Sequence, residues 1–115
     1  MQKPLQITLL GLDRSDALDE HVREKVRKLE EIEPRAIGCH VTIEKPHRHH
    51  HQGAQIDVRI AIRLPGRADI VVTRHHSDDA YVAMRDAFDA AKRMLEEHVR
   101  ETRDRQRGAQ QASQG

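Results

Sequence analysis

Residues 77–103 carry the feature that most constrains the fold, a run in which apolar side chains recur every three or four positions. The apolar positions are Tyr81, Met84, Phe88, Ala91, Leu95 and Val99. This spacing is typical of an amphipathic helix with one buried face. No Gly or Pro interrupts it before Gly108, and Ser77 or Asp78 is placed to cap its first turn. About 26 residues at about 1.5 Å each give a rod of about 39 Å, so the preceding residues must form a surface on which it packs.

The residues before this helix predict four strands and a second helix. The strand patterns are the apolar run at 5–10 and the alternating segments at 37–45, 55–64 and 69–74. Pro65 and Gly66 form a turn that joins the last two strands as a hairpin. The helical pattern covers 15–32, with Ser15 as its N-cap. Its buried stripe is Leu18, Val22, Val26 and Leu29.

The predicted order of elements is therefore β-α-β-β-β-α. Because each alternating strand is apolar on one side only, one face of the sheet must be covered and the other exposed. We expect an α+β fold, a two-layer sandwich in which two helices pack on one face of a four-stranded sheet, like a double-stranded-RNA-binding domain. Residues 1–103 would form this single domain. Residues 104–115 are polar and lack an apolar period, so we expect a disordered tail.

Charge and composition narrow the possible partners. The 20 Lys and Arg nearly balance 19 Asp and Glu, for a net charge of +1, so nucleic-acid binding would need local clusters of basic residues. No run approaches the roughly 18 apolar residues of a membrane span, so we expect no membrane partner. The single cysteine, Cys39, fits a reducing cytoplasm. We therefore expect a cytoplasmic protein.

Motifs for catalysis are lacking. The sequence has no glycine-rich phosphate loop and no nucleophile elbow, and Cys39 lies on the apolar side of a predicted strand. His75 and His76 precede the long helix close to Asp78 and Asp79, where a hydrogen-bonded cap is a simpler explanation than an acid–base pair. We predict no enzyme and no cofactor.

Residues 46–53, PHRHHHQG, have the most unusual local composition. Three explanations remain open: a flexible loop without a function, a nucleic-acid contact in which imidazoles stack and Arg48 reaches a phosphate, or a metal site. Consecutive His49, His50 and His51 cannot easily converge on one ion, and no zinc-type spacing supports them, so we predict no metal site.

A basic run occupies the middle of the first helix. It consists of Arg23, Lys25, Arg27 and Lys28. One explanation is a solvated face with intrahelical ion pairs such as Glu24 with Lys28, each contributing about 0.2–0.5 kcal/mol. The other is a contact with RNA phosphates. Charge alone does not decide between them.

Two blocks of the sequence resemble the ribosome hibernation promoting factor family, also called sigma-54 modulation or ribosome-associated inhibitor proteins. The first block matches at Ile7, Thr8, Ser15, Ala17, Leu18, Val22, Lys25, Lys28, Leu29, Glu30 and Arg35. The second matches at Asp79, Tyr81, Ala83, Met84, Arg93 and Leu95, with Met94 where Gln is usual. The resemblance covers residues 5–103 and is to a short form of a divergent subgroup.

The resemblance implies a function in translation. It implies binding to the small ribosomal subunit and its rRNA, in the channel used by mRNA and tRNA, and silencing or protection of idle ribosomes under stress. Off the ribosome we expect a monomer. The family's basic helix positions correspond to Lys25, Lys28 and Arg93. Candidate RNA-binding residues added from the local charge and motif pattern are Arg23, Arg27, Arg35, Arg48, Lys92, Arg100 and Arg103.

The sequence departs from the family in its second helix. Lys tends to occupy the positions of Ala90 and Glu97, and Glu96 and Glu101 add negative charge. Carboxylates repel phosphates, so ribosome binding would be weaker or shifted along the helix. The alternative function is a small interaction module of the same fold that binds a protein or another RNA.

Overall fold

Four strands and two helices follow one another in the predicted β-α-β-β-β-α order, which confirms the fold class. The computed structural model describes residues 4–46, 55–76 and 79–114. The elements are β1 (Leu5–Leu10), α1 (Asp16–Ile32), β2 (Gly38–Glu44), β3 (Ile56–Arg63), β4 (Ile70–His76) and α2 (Ala80–Gln114).

The strands form one sheet in the order β1-β2-β3-β4. β1 and β2 are parallel because α1 crosses over between them, whereas β2, β3 and β4 pair antiparallel. Side chains alternate across the sheet, and the register aligns apolar residues into rows under the helices. One such row crosses all four strands through Ile7, Val41, Ile60 and Val72.

Both helices cover the same face of the sheet with the predicted apolar stripes. Leu18, Val22, Val26 and Leu29 of α1 are buried, as are Met84, Phe88, Ala91 and Leu95 of α2. The buried stripe of α2 is shorter than the spacing predicted. Tyr81 is 45% exposed, its ring lies edge-on against the His21 ring with centroids 5.2 Å apart, and Val99 is only half-buried.

Side chains cap the first turn of each helix. Ser15 Oγ accepts a hydrogen bond from the Leu18 amide at 3.3 Å, as the sequence predicts. At the start of α2, Asp79 Oδ1 accepts from the Tyr81 and Val82 amides at 2.9 and 3.3 Å. The predicted caps, Ser77 and Asp78, lie outside the described residues.

The C-terminal end of α2 differs from the prediction. The helix continues through Gln114, where the polar composition indicated a disordered tail over 104–115. Side chains 103–108 are all exposed, as a segment without apolar period requires. Polarity does not itself end a helix, however, and Arg, Gln and Ala favour one, while the single Gly108 costs only about 1 kcal/mol relative to Ala.

Packing in the core predicts that substitutions at two neighbouring residues of α2 change stability by very different amounts. Leu95 is fully buried and Met94 is 42% exposed. Leu95→Ala should lower the free energy of unfolding by about 2–5 kcal/mol because it leaves a cavity under the helix. Met94→Ala, the matched control, should change it by about 0.5 kcal/mol or less. Chemical denaturation measures both, and equal losses would contradict this packing.

Candidate nucleic-acid interface

The two helices lie side by side and run in the same direction. Near their first turns the rings of His21 and Tyr81 are in contact. Farther along, His98 Nε2 of α2 lies 3.6 Å from Glu33 Oε2, just after the end of α1. These contacts show which flank of each helix is turned toward the other.

One half of the predicted basic run on α1 lies on the flank that faces α2. Lys25 and Lys28 follow His21 by four and seven residues, so they share its side of the helix. Burial of His21, reinforced by the charges of Lys25 and Lys28, holds its pKa below the usual histidine value. Lys28 is exposed and Lys25 half-buried, and neither forms an ion pair with another described residue.

The other half of the run is neutralised by acidic neighbours. Arg23 Nε lies 2.7 Å from Asp19 Oδ2, and Arg27 pairs with Glu24. The suggested pair of Glu24 with Lys28 is therefore not formed, since Glu24 pairs with Arg27 instead. An open depression of about 990 Å³ on this side of α1 is lined by four carboxylates besides the two guanidinium groups, which disfavours a phosphate ligand. The carboxylates are Glu20, Glu24, Glu30 and Glu31.

The predicted basic residues of α2 all lie on the surface. Lys92, Arg93, Arg100 and Arg103 are exposed, and in the described part of the chain none of them is ion-paired. Arg93 and Arg100 are seven residues apart, which places them about 10.5 Å apart along one face. We define the basic helix face as Lys25, Lys28, Lys92, Arg93, Arg100 and Arg103.

The departures from the family pattern on α2 differ in where they lie. Glu96, Glu97 and Glu101 are exposed on α2, as expected. Ala90, in contrast, is 3% exposed and belongs to the core, so it takes no charge away from the surface of this chain. The sequence alone could not show whether Ala90 is buried or exposed, since Ala occurs in both environments.

Arg35 has a structural partner. Its backbone N and its Nε and Nη2 atoms donate to the Glu33 carboxylate at 3.0, 3.2 and 3.3 Å. Glu33 is 3% exposed, the only buried charged residue among those described. The hydrogen bonds from Arg35 hold the Glu33 pKa below its usual value, against the opposing effect of burial. Because its charge is balanced in this way, Arg35 is a weaker phosphate ligand than Lys25 and Lys28, which have no acidic partner among the described residues.

The same carboxylate links α2 and the β3–β4 turn to the end of α1. Arg67 Nη1 lies 2.8 Å from His98 Nδ1, and the other ring nitrogen of His98 faces Glu33. Because a guanidinium can only donate, Nδ1 accepts and the ring proton lies on Nε2, toward the carboxylate. This network fixes α2 beside α1 and thereby sets the spacing of the basic helix face.

Comparison with known proteins identifies the family. The family model described as "Sigma 54 modulation protein / S30EA ribosomal protein" matches residues 5–103. The chain belongs to this family. The predicted resemblance is therefore confirmed over the same residues.

Solved structures share the fold of this family member. A ribosomal subunit interface protein from Coxiella burnetii is 21% identical, with a TM-score of 0.68 over 83% of this chain and 96% of that one. The N-terminal domain of Protein Y from Thermus thermophilus is 18% identical, with a TM-score of 0.67 over 83% and 98% of the two chains. A comparison with curated protein sequences found no match.

The remaining predictions concern residues outside the basic helix face. Arg48 and the histidine segment lie outside the described residues. Burial raises the pKa of Cys39 to about 12, so its thiol is protonated and unreactive at neutral pH. Among the residues that the structure describes, no cluster of His, Cys, Asp and Glu could hold a metal ion. No helix in that part of the chain is long and apolar enough to cross a membrane.

The Glu33 network predicts a pH-dependent contribution to stability. Because the folded-state pKa of Glu33 is lowered, its contribution is complete above the ordinary value of 4.5 and disappears as the pH falls through the folded-state pKa. Glu33→Gln should therefore reduce the free energy of unfolding by about 1–3 kcal/mol at pH 7, and its difference from the original protein should shrink below pH 4.5.

Denaturant unfolding across this pH range measures the effect. Glu31→Gln is the matched control, because Glu31 is exposed and forms no ion pair with a described residue. It should change stability little at any pH. A Glu33→Gln deficit that stays constant down to pH 3 would show that the carboxylate charge is not what the network uses.

Proposed function

We propose that this protein binds the small ribosomal subunit in the channel used by mRNA and tRNA, through the basic helix face, and that it silences or protects idle ribosomes. Membership of the sigma-54 modulation and S30EA ribosomal protein family supports ribosome association. So does the shared fold with proteins whose names refer to the ribosomal subunit interface and to Protein Y. In this proposal the protein acts by occupying the channel in the cytoplasm and has no enzymatic activity.

One observation carries the proposal, the unpaired state of the basic helix face. Its six cations lie on two parallel helices and have no acidic partner among the described residues. A cation without an internal partner releases counterions when it meets a phosphate, whereas an ion-paired cation must first lose its partner. Two adjacent rows of such cations suit RNA, whose helical shape and backbone are recognised independently of sequence.

A second candidate function is suggested by the carboxylates on α2. Glu96, Glu97 and Glu101 share the exposed surface of the helix with the basic residues. A surface of mixed charge also fits a protein partner, since complementary charges on both sides of a protein interface confer specificity. Binding of that kind would depend less on salt than phosphate binding does.

Charge reversal tests the basic helix face. Lys28→Glu with Arg93→Glu should weaken binding to purified small subunits by about tenfold or more, because two phosphate contacts become repulsive. Both residues are exposed, which keeps the fold intact, whereas half-buried Lys25 is left unchanged. Equilibrium binding of N-terminally labelled protein, followed by fluorescence anisotropy, gives the affinity.

The matched control reverses two other exposed arginines, Arg14 and Arg74, and gives the same net charge of −3, four units below +1. It should bind within about threefold of the original protein, since long-range attraction alone does not hold the complex. If both double variants lose affinity equally, net charge rather than the basic helix face accounts for binding, and the proposed site is wrong.

A further inference from the structure

The face of the sheet opposite the helices carries an ordered polar surface. In the register of the sheet, Thr8, Thr42, Arg59 and Thr73 form one row across all four strands. They alternate with the apolar residues that face the helices, so their side chains point to the uncovered side. Three hydroxyl groups therefore lie in line with one guanidinium group, outside the basic helix face.

Two cations on this face have no acidic partner among the described residues. Arg59 and Arg63 of β3 are exposed, and neither is ion-paired with a described residue. They are four residues apart on one strand, so they point the same way about 13 Å apart. They border an open depression of about 360 Å³, where Asp69 is the only carboxylate among the described lining residues. Glu44 and Asp57 lie opposite each other in the register of β2 and β3. They are toward the other end of this face, since Asp57 precedes Arg59 by two residues along β3.

Hydrogen bonds hold the polar groups of this surface in place. His40 Nε2 lies 2.9 Å from Thr8 Oγ1 and 3.4 Å from Thr42 Oγ1, so one half-buried imidazole joins the hydroxyl groups of two strands. His40 also lines the depression with Arg59 and Arg63. Hydroxyl and guanidinium groups are among the side chains that contact phosphate and sugar oxygens.

The composition of this face argues against two other occupants. Tyr81 and Phe88, the only aromatic residues apart from histidine, are both on α2, so the sheet offers no Phe, Tyr or Trp on which bases could stack. Its exposed large apolar residues, Leu10 and Val71, lie on the two outer strands and are separated by β2 and β3. They do not form the continuous apolar patch that a protein interface centres on.

We propose that the open face of the sheet binds the sugar–phosphate backbone of a second RNA segment, through Arg59, Arg63 and the threonine row. The inference rests on the proposed function, since it makes this domain a bridge between two RNA segments. The basic helix face and the sheet face lie on opposite sides of a two-layer domain, so one RNA helix cannot contact both. A cavity lined by RNA on two sides allows both surfaces to bind RNA at the same time.

Two measurements test the sheet face separately from the helices. The first is an NMR titration of isotope-labelled protein with a 12-nucleotide oligouridylate, which reports each amide independently of the ribosome. Amides of β2 and β3 around Thr42 and Arg59 should shift in the original protein. Those shifts should disappear in Arg59→Gln with Arg63→Gln, while shifts along the basic helix face remain. Shifts confined to the helices, or sheet shifts that persist in the variant, would overturn the proposal.

The second measurement is the salt dependence of binding to small subunits. Loss of two phosphate contacts should reduce the slope of log K against log salt by about 1.4–1.8. The control is Arg14→Gln with Arg74→Gln, which removes the same charge and should keep the slope. A slope that the sheet variant leaves unchanged also overturns the proposal.

The outcomes separate the two claims. If the original protein does not bind small subunits at all, the proposed function fails, and the oligouridylate titration still decides whether the sheet binds RNA. If Lys28→Glu with Arg93→Glu weakens subunit binding while the sheet variant changes neither the slope nor the amide shifts, the proposed function stands. The sheet face would then have no part in it.

Discussion

Two helices pack on one side of a single sheet, and this packing determines which surfaces of the protein remain exposed. The apolar row through Ile7, Val41, Ile60 and Val72 must be covered, and α1 and α2 cover it together. With aromatic residues at only 2% of the chain, burial relies on many small aliphatic contacts rather than on a few large rings. Once both helices lie on the same face, their solvent-exposed sides and the opposite face of the sheet become the two surfaces available for binding.

The arrangement of charge on those surfaces matters more than its total. The net charge is only +1, yet the structure sorts the basic residues by their neighbours. Arg23 and Arg27 are matched by acids of their own helix, and Arg35 holds the buried Glu33. Lys25 and Lys28, on the flank that faces α2, keep their charges unpaired among the described residues. A nearly neutral protein therefore still presents a local basic surface, which is what contact with a phosphate backbone requires.

Local periodicity predicted the elements and their order, because burial on one face leaves a repeating signal in the sequence. It did less well where burial is incomplete or where contacts are not local. Tyr81 continues the apolar period of α2 but remains exposed beside His21, a neighbour from another helix. The helix over 104–114 has no apolar period, so composition indicated disorder there. The tertiary link from Glu33 through His98 to Arg67 has no sequence signature, since its members are far apart in the chain.

The sequence and the structure contribute different information about the candidate site. Its residues were found from charge and from the family resemblance, and their role in RNA binding stays a prediction. The structure adds which of them have no acidic partner among the described residues. Composition could not distinguish residues 23 and 27 from residues 25 and 28, since all four are basic neighbours in one helix. Only the positions of Asp19, Glu24 and α2 separate them. Such partners are set by side-chain direction around the helix, which spacing constrains but does not determine.

Co-sedimentation of the purified protein with small ribosomal subunits across a salt series would show whether the basic helix face binds phosphates. If the six cations of the basic helix face each contact a phosphate, log K should fall linearly with log salt with a slope of about −4 to −5. The protein would then pellet at low salt and be released as salt rises. A protein that stays in the supernatant at every salt concentration, or that pellets independently of salt, would contradict phosphate binding through this face.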